Sequence, residues 1–265
     1  MQTPAAKSPP KTTTDDHPLA NILLNVLVPV LVLSYMSKDP ALQEMMGKTA
    51  KPWHLGPVKA IVIALALPIG YGVWHFAKTR KFNVFSGLGL ASVLLTGALT
   101  LYLWNKDGSV KPNAGMFFGV KEALIPLVLG LAVLVSQRSS SPLIRVFLYN
   151  DGIFDIPKIE ARVGERGAHA EYDRVLRNAT WLFAGSFFLS SAMNLGLAYW
   201  FFHGFEESAQ GALETYNGIV AKITGWGFLV IGVPIMVILV LVFFMLVARL
   251  KKLTGLDDKE LMMPR

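Results

Sequence analysis

The 265 residues contain no cysteine, which excludes disulfides, thiolate metal sites and cysteine nucleophiles but leaves the redox compartment open. Charge is scarce as well. Asp, Glu, Lys and Arg together make up 16%, against ~25% in ordinary soluble domains, and they gather between apolar runs instead of alternating with them. No Walker loop, dinucleotide fingerprint or G-x-S-x-G elbow is present, and no His and carboxylates stand at metal-ligand spacing. These absences argue against an enzyme and imply no cofactor and no metal.

Apolar residues dominate what remains. They account for 53% of the chain, with a mean hydropathy of +0.46, above the ~45–50% typical of globular domains. Blocked into long runs, they indicate an all-α polytopic membrane protein whose first partner is the lipid bilayer. A formal charge of +7 would suggest nucleic acid in a soluble chain. Here the cations flank the apolar runs, where they orient the chain in a bilayer, so no nucleic-acid partner is expected.

Residues 1–17, rich in Pro, Thr and charge, read as a disordered cytoplasmic tail; acidic Asp15 and Asp16 stand where a signal peptide would be basic. A transmembrane domain over 18–253 follows, with six spans at about 19–37, 57–77, 84–104, 114–135, 180–202 and 223–247. A long cytoplasmic loop, 136–178, separates the fourth and fifth spans. Within it, 142–154 reads as lying along the membrane surface, and Ile159 to Arg177 as a helix interrupted around Gly164 and Gly167. Residues 254–265 read as a second polar cytoplasmic tail.

Six spans place both termini on one side. With the N-terminus inside, the outer loops hold only Lys38, Lys48, Lys51, Lys59, Lys106, Lys111 and Lys222, while the other loop and tail cations fall inside. The positive-inside rule therefore predicts an N-in, C-in topology, which in a bacterium means the inner membrane.

The fourth span, Ala114 to Val135, holds an adjacent Lys121 and Glu122. An ionised side chain at the centre of a bilayer costs at least ~2.5 kcal/mol, so such residues face a bundle interior or a wet cavity. Two readings follow: a site, or a helix that starts only near Val120 and leaves both residues at the outer interface. Glu122 stands four residues before Pro126, as Asn25 stands four before Pro29 in the first span. Proline frees the carbonyl four residues back, so each pair combines a helix break with a polar side chain. The echo raises an inverted repeat of two three-helix halves. Pro68 and Pro234 mark further helix breaks, and Asn194 continues a polar seam with Ser186 and Ser190. Such seams more often serve as interhelical glue than as a pore lining. His75, beside Trp74, reads as an interfacial histidine, and Gly115-x-x-x-Gly119 as a packing face.

The stretches Thr96-Gly-Ala-Leu-Thr-Leu101, Leu134-Val-Ser-Gln137, Pro142-Leu-Ile144, and Asn194 ahead of Ala198-Tyr-Trp200 carry a resemblance. In patches over roughly its C-terminal two-thirds, the chain resembles the bacterial intracellular septation protein A family, in particular its larger, poorly characterised inner-membrane relatives. The resemblance implies a multi-spanning inner-membrane protein linked to septation and cell-envelope upkeep, acting through a membrane partner, another copy of itself or lipid, with no catalytic residues to carry over. The long N-terminal tail and the basic segment around Asn150 to Arg174 depart from the family pattern. The alternative expectation is a small secondary transporter centred on Lys121, Glu122 and the proline-broken helices.

Overall fold

The computed structural model describes residues 27–79, 84–105, 107–139 and 142–263. Asn21, Asn25, the N-terminal tail, Arg80, Lys81 and the side chain of His75 lie outside the described residues, and with them one half of the Asn25/Pro29 echo.

Among the described residues all regular structure is helical: α1 (Val28–Met36), α2 (Pro40–Met45), α3 (Pro57–Thr79), α4 (Val84–Leu103), α5 (Ala114–Ser136), α6 (Leu143–Phe147), α7 (Ile156–Glu165), α8 (His169–Phe202), α9 (Ala212–Gly227), α10 (Val233–Thr254) and α11 (Asp258–Leu261). A π-helical turn, Phe228–Gly232, joins α9 to α10. Among the described residues four stretches are long and apolar enough to cross a membrane: Pro57–Trp74, Ala114–Ser136, His169–Phe202 and Ala212–Thr254. Helix α4 carries no charged residue along its 20 positions.

Two of these helices outrun the spans expected from hydropathy. The fifth begins at His169, not near Thr180, and the last at Ala212, not near Ile223. At 1.5 Å per residue the 34 residues of α8 reach ~51 Å, well beyond a hydrocarbon core of ~30 Å. Polar residues end the apolar run but not the backbone hydrogen-bond ladder. Tyr172 and Ala179 at the start of α8, and Leu213, Tyr216 and Val220 in α9, are buried, and this packing carries the helices on. The expected interruption at Gly167 does occur. Its φ of +63° lies in the left-handed region that glycine enters without strain.

The prolines act differently from simple breaks. Pro68 and Pro126 sit inside helices that continue on both sides, and Pro29 lies in the first turn of α1. Pro234 follows the π turn, where the widened ladder accommodates its missing N–H.

Glycines set the tightest helix pair, α5 against α8. A Cβ on Gly115 would come 2.6 Å from Phe202, one on Gly119 2.9 Å from Ala198, and one on Gly130 2.7 Å from Phe188. The pair is thus antiparallel, with backbones close enough for dispersion and packing to hold it in lipid, where burying apolar surface gains little.

Hydrophobic clusters sit at the two ends of the bundle. One gathers Leu33, Ile61, Leu103, Phe118 and Tyr216 beside the loops at 37–56, 104–113 and 203–211. The other gathers Val133, Tyr149, Phe154, Ile159, Val163, Phe183, Leu250 and Leu261. This second cluster takes in two short stretches. In residues 142–154, Ile144, Leu148, Tyr149 and Phe154 turn inward. Residues 254–263 pack against it as well. Leu256 and Leu261 are buried, Asp257 and Glu260 form a capping box for α11, and Phe154 bridges to Met262. Their apolar side chains bury one another and build a compact platform on that end. The α7 helix joins it through Ile156, Ile159 and Val163, spaced i, i+3, i+7 on one face.

A candidate intramembrane polar site

Helix α5 begins at Ala114 because its first amides find a carboxylate. Glu207 accepts from the N–H of Asn113 at 2.9 Å and from that of Ala114 at 2.8 Å, while Asn113 turns the chain with φ +64°. A carboxylate at a helix N-terminus answers both the orphan donors and the dipole. A helix start near Val120 is thereby excluded, and Lys121 and Glu122 lie about two turns in, ~10 Å beyond Gly115.

The ammonium of Lys121 is turned into the protein. It donates to Thr96 Oγ1 on α4 at 2.6 Å and to the carboxylate of Glu122, and it lies 5.1 Å from the centre of the Phe118 ring. Only 9% of the Lys121 side chain and 26% of the Glu122 side chain is exposed. Thr96 and Thr100 satisfy their own hydroxyls on backbone carbonyls one turn back, which leaves Thr96 Oγ1 free to accept. The arrangement joins α4 to α5 with a neutralised pair.

Tyr216 approaches from α9. It is fully buried, clasped by Phe118, Phe202 and Phe205 with ring centres 5.4–6.4 Å away. Its hydroxyl neighbours Thr100, yet it makes no hydrogen bond of standard geometry. The adjacent Asn217 donates to Ser37 Oγ at 2.9 Å and to the Pro57 carbonyl at 3.2 Å, tying α9 to the chain around α1 and α3. Its Oδ1 is buried without a partner.

The structure brings Lys121 and Glu122 together but places Asn194 elsewhere. Asn194 donates to the carbonyl of Ser190 on its own helix at 2.8 Å, and Ser186 does the same to Phe183 at 2.7 Å. These two seam residues act within α8. The residue that crosses to α5 is Ser191, whose hydroxyl donates to the Ala123 carbonyl at 2.9 Å, beside the carbonyls that Pro126 leaves short of amides. Sequence reading missed Ser191, Tyr216, Asn217 and Glu207. Thr96 and Thr100 stood four apart in the third span, but only as residues small enough for close packing.

A cleft of about 380 Å³ at the same end is lined by Asp39, Lys59, Asp107, Gln210 and Glu214 among others. Its carboxylates are largely occupied. Asp39 caps α2 through the amides of Ala41 and Leu42, and Glu214 accepts from the Asp39 amide and the Gln43 side chain. Among the described residues no group of three or more His, Asp or Glu is placed to hold a metal ion. No family model, curated protein or solved structure matches the chain.

Proposed function

We propose that the chain is a six-span protein of the bacterial inner membrane, both termini cytoplasmic, that supports cell-envelope or division processes through a membrane partner or lipid. This is the role its resemblance to septation protein A-like proteins implies. Four membrane-length helices support the multi-pass part of the reading. The N-terminal span at about 19–37 and the span at about 84–104 complete the six. The two halves of three helices, spans one to three and four to six, are related as an inverted repeat.

One observation carries the functional choice. The charged pair inside the apolar spans is closed on itself: Lys121 is held by Glu122, Thr96 and the face of Phe118. A lysine with its donors so engaged fastens two helices rather than receives a cargo. The large ordered feature outside the spans is the platform built by α6, α7, α11 and the ends of α8 and α10, a surface suited to a partner.

A second reading, a small secondary transporter centred on Lys121 and Glu122, draws on the Tyr216 hydroxyl, which is buried near Thr100 and makes no hydrogen bond of standard geometry. Complementation separates the two. In cells deleted for the chain, wild type and the doubly neutral Lys121→Met/Glu122→Gln variant should equally restore cell length and septum spacing. Loss of proton- or ion-coupled flux in vesicles, together with failed rescue by a stably inserted double variant, would overturn the partner reading in favour of transport.

A further inference from the structure

The rim of the α5–α8 pair on the platform side carries cations that the fold leaves unpaired. Contacts of Gly115 with Phe202, Gly119 with Ala198 and Gly130 with Phe188 fix the antiparallel register. Carried on past the end of α5, that register puts Val135 level with Leu182 along the axis and Arg138 within a turn of the level of Arg177. Along α8, Arg174, Arg177 and Trp181 follow at i, i+3 and i+7 and share a face.

All three arginines are exposed, and among the described residues none has a side-chain partner. Five other cations on the platform are occupied: Arg145 by Glu160, Arg162 by Glu165, Lys158 by Glu260, Lys251 by Asp258 and Arg166 by the Leu253 carbonyl. Arg249, Lys252 and Lys259 are exposed without a partner among the described residues, but they stand on α10 and α11 and not on the α5–α8 pair. Asp173, four residues before Arg177, and Glu171, three before Arg174, stand close enough to pair and do not. On the membrane side of the three guanidinium groups lie exposed Val135, Trp181 and Leu182.

We propose that this rim binds the headgroup of an anionic phospholipid of the cytoplasmic leaflet. Arg138, Arg174 and Arg177 hold the phosphate, and the acyl chains run along Val135, Trp181 and Leu182. Guanidinium matches phosphate in planar, bidentate geometry, and a tryptophan ring sits at headgroup level in a bilayer. Charges that only orient a protein need to flank its spans. Arg174 and Arg177 on one face of α8 above Trp181, with Arg138 at the neighbouring helix end, offer guanidinium donors from two helices to one phosphate. The proposal rests on the membrane reading above.

The test uses the full-length protein in neutral detergent, with thermal unfolding followed as dioleoyl phosphatidylglycerol, dioleoyl phosphatidylcholine or inorganic phosphate is added. Phosphatidylglycerol should raise the Tm and phosphatidylcholine should not. The Arg138→Gln/Arg174→Gln/Arg177→Gln variant should lose at least about tenfold in apparent affinity for phosphatidylglycerol, and Lys158→Gln should lose none. Should the triple variant unfold, each single Gln variant serves in its place with a smaller loss in the same direction. Unchanged phosphatidylglycerol affinity in the variants, or an equal response to phosphatidylcholine, overturns the proposal. An inorganic phosphate shift as large as that of the lipid overturns it in favour of a free-anion site. Carbonate washing of membranes tests the parent reading apart from this one: a released chain sinks both, whereas an integral chain with unaltered lipid preference sinks only the lipid site.

Discussion

Lys121 and Glu122 are neighbours in sequence, and successive helix positions normally point ~100° apart, so it is the long, flexible lysine side chain that lets the ammonium reach both Glu122 and Thr96. Breaking such a pair from one side leaves a charge without its partner in a poorly solvated place, and removing both charges is far milder. Glu122 is partly exposed, which discounts the penalty. Lys121→Met should therefore cost about 1–3 kcal/mol, and the Lys121→Met/Glu122→Gln double variant should recover most of that. Thermal unfolding in detergent across the four-member cycle measures the coupling, and additive losses would show that the two residues act independently. The oddity of two charges in an apolar run was plain from the sequence. Thr96 as the acceptor was not, because the rotation of α4 about its own axis is set by packing on α3 and α5.

The helices divide into ends that sequence located and ends that it did not. Hydropathy finds where a run stops being apolar, whereas a helix stops where its backbone groups find other partners. For α5 the two coincide because Glu207, from the loop after α8, caps Asn113 and Ala114. Glu207→Ala should lower stability by about 1–2 kcal/mol and raise hydrogen exchange of the amides at 113–118. Glu207→Gln, which keeps an acceptor but loses the charge, should fall between. Wild-type protection in the alanine variant would remove the cap from the account of where α5 begins. For α8 and α9 the boundaries diverge by about three turns, since Tyr172 and Tyr216 are buried by residues distant in sequence. The glycines of α5 were readable as a packing face. Their partners Phe202, Ala198 and Phe188 became known only with the register.

For the molecule as a whole, lack of cysteine makes topology directly measurable. Lys48→Cys lies in the 37–56 loop and Lys259→Cys in α11 at the opposite end, and both positions are exposed. In intact spheroplasts a membrane-impermeant maleimide should label Lys48→Cys at once and Lys259→Cys only after permeabilisation. The reverse pattern would invert the proposed orientation, and equal labelling of both would sink the multi-pass topology. An all-helical, membrane-length architecture was legible from composition alone, because apolar blocks of about 20 residues have few other stable forms. The platform was not. Residues 142–154 and 254–263 are short and mixed in character, and their helices and bridge exist because Tyr149, Phe154, Leu256 and Leu261 bury one another across more than a hundred residues of chain. Local pattern thus decided which stretches are helical and apolar, since those depend on backbone geometry and on solvent within a few turns. Contact between distant stretches decided what the polar residues do: that Lys121 closes on Thr96, that Asn194 stays on its own helix, and that Arg138, Arg174 and Arg177 are left exposed without partners among the described residues.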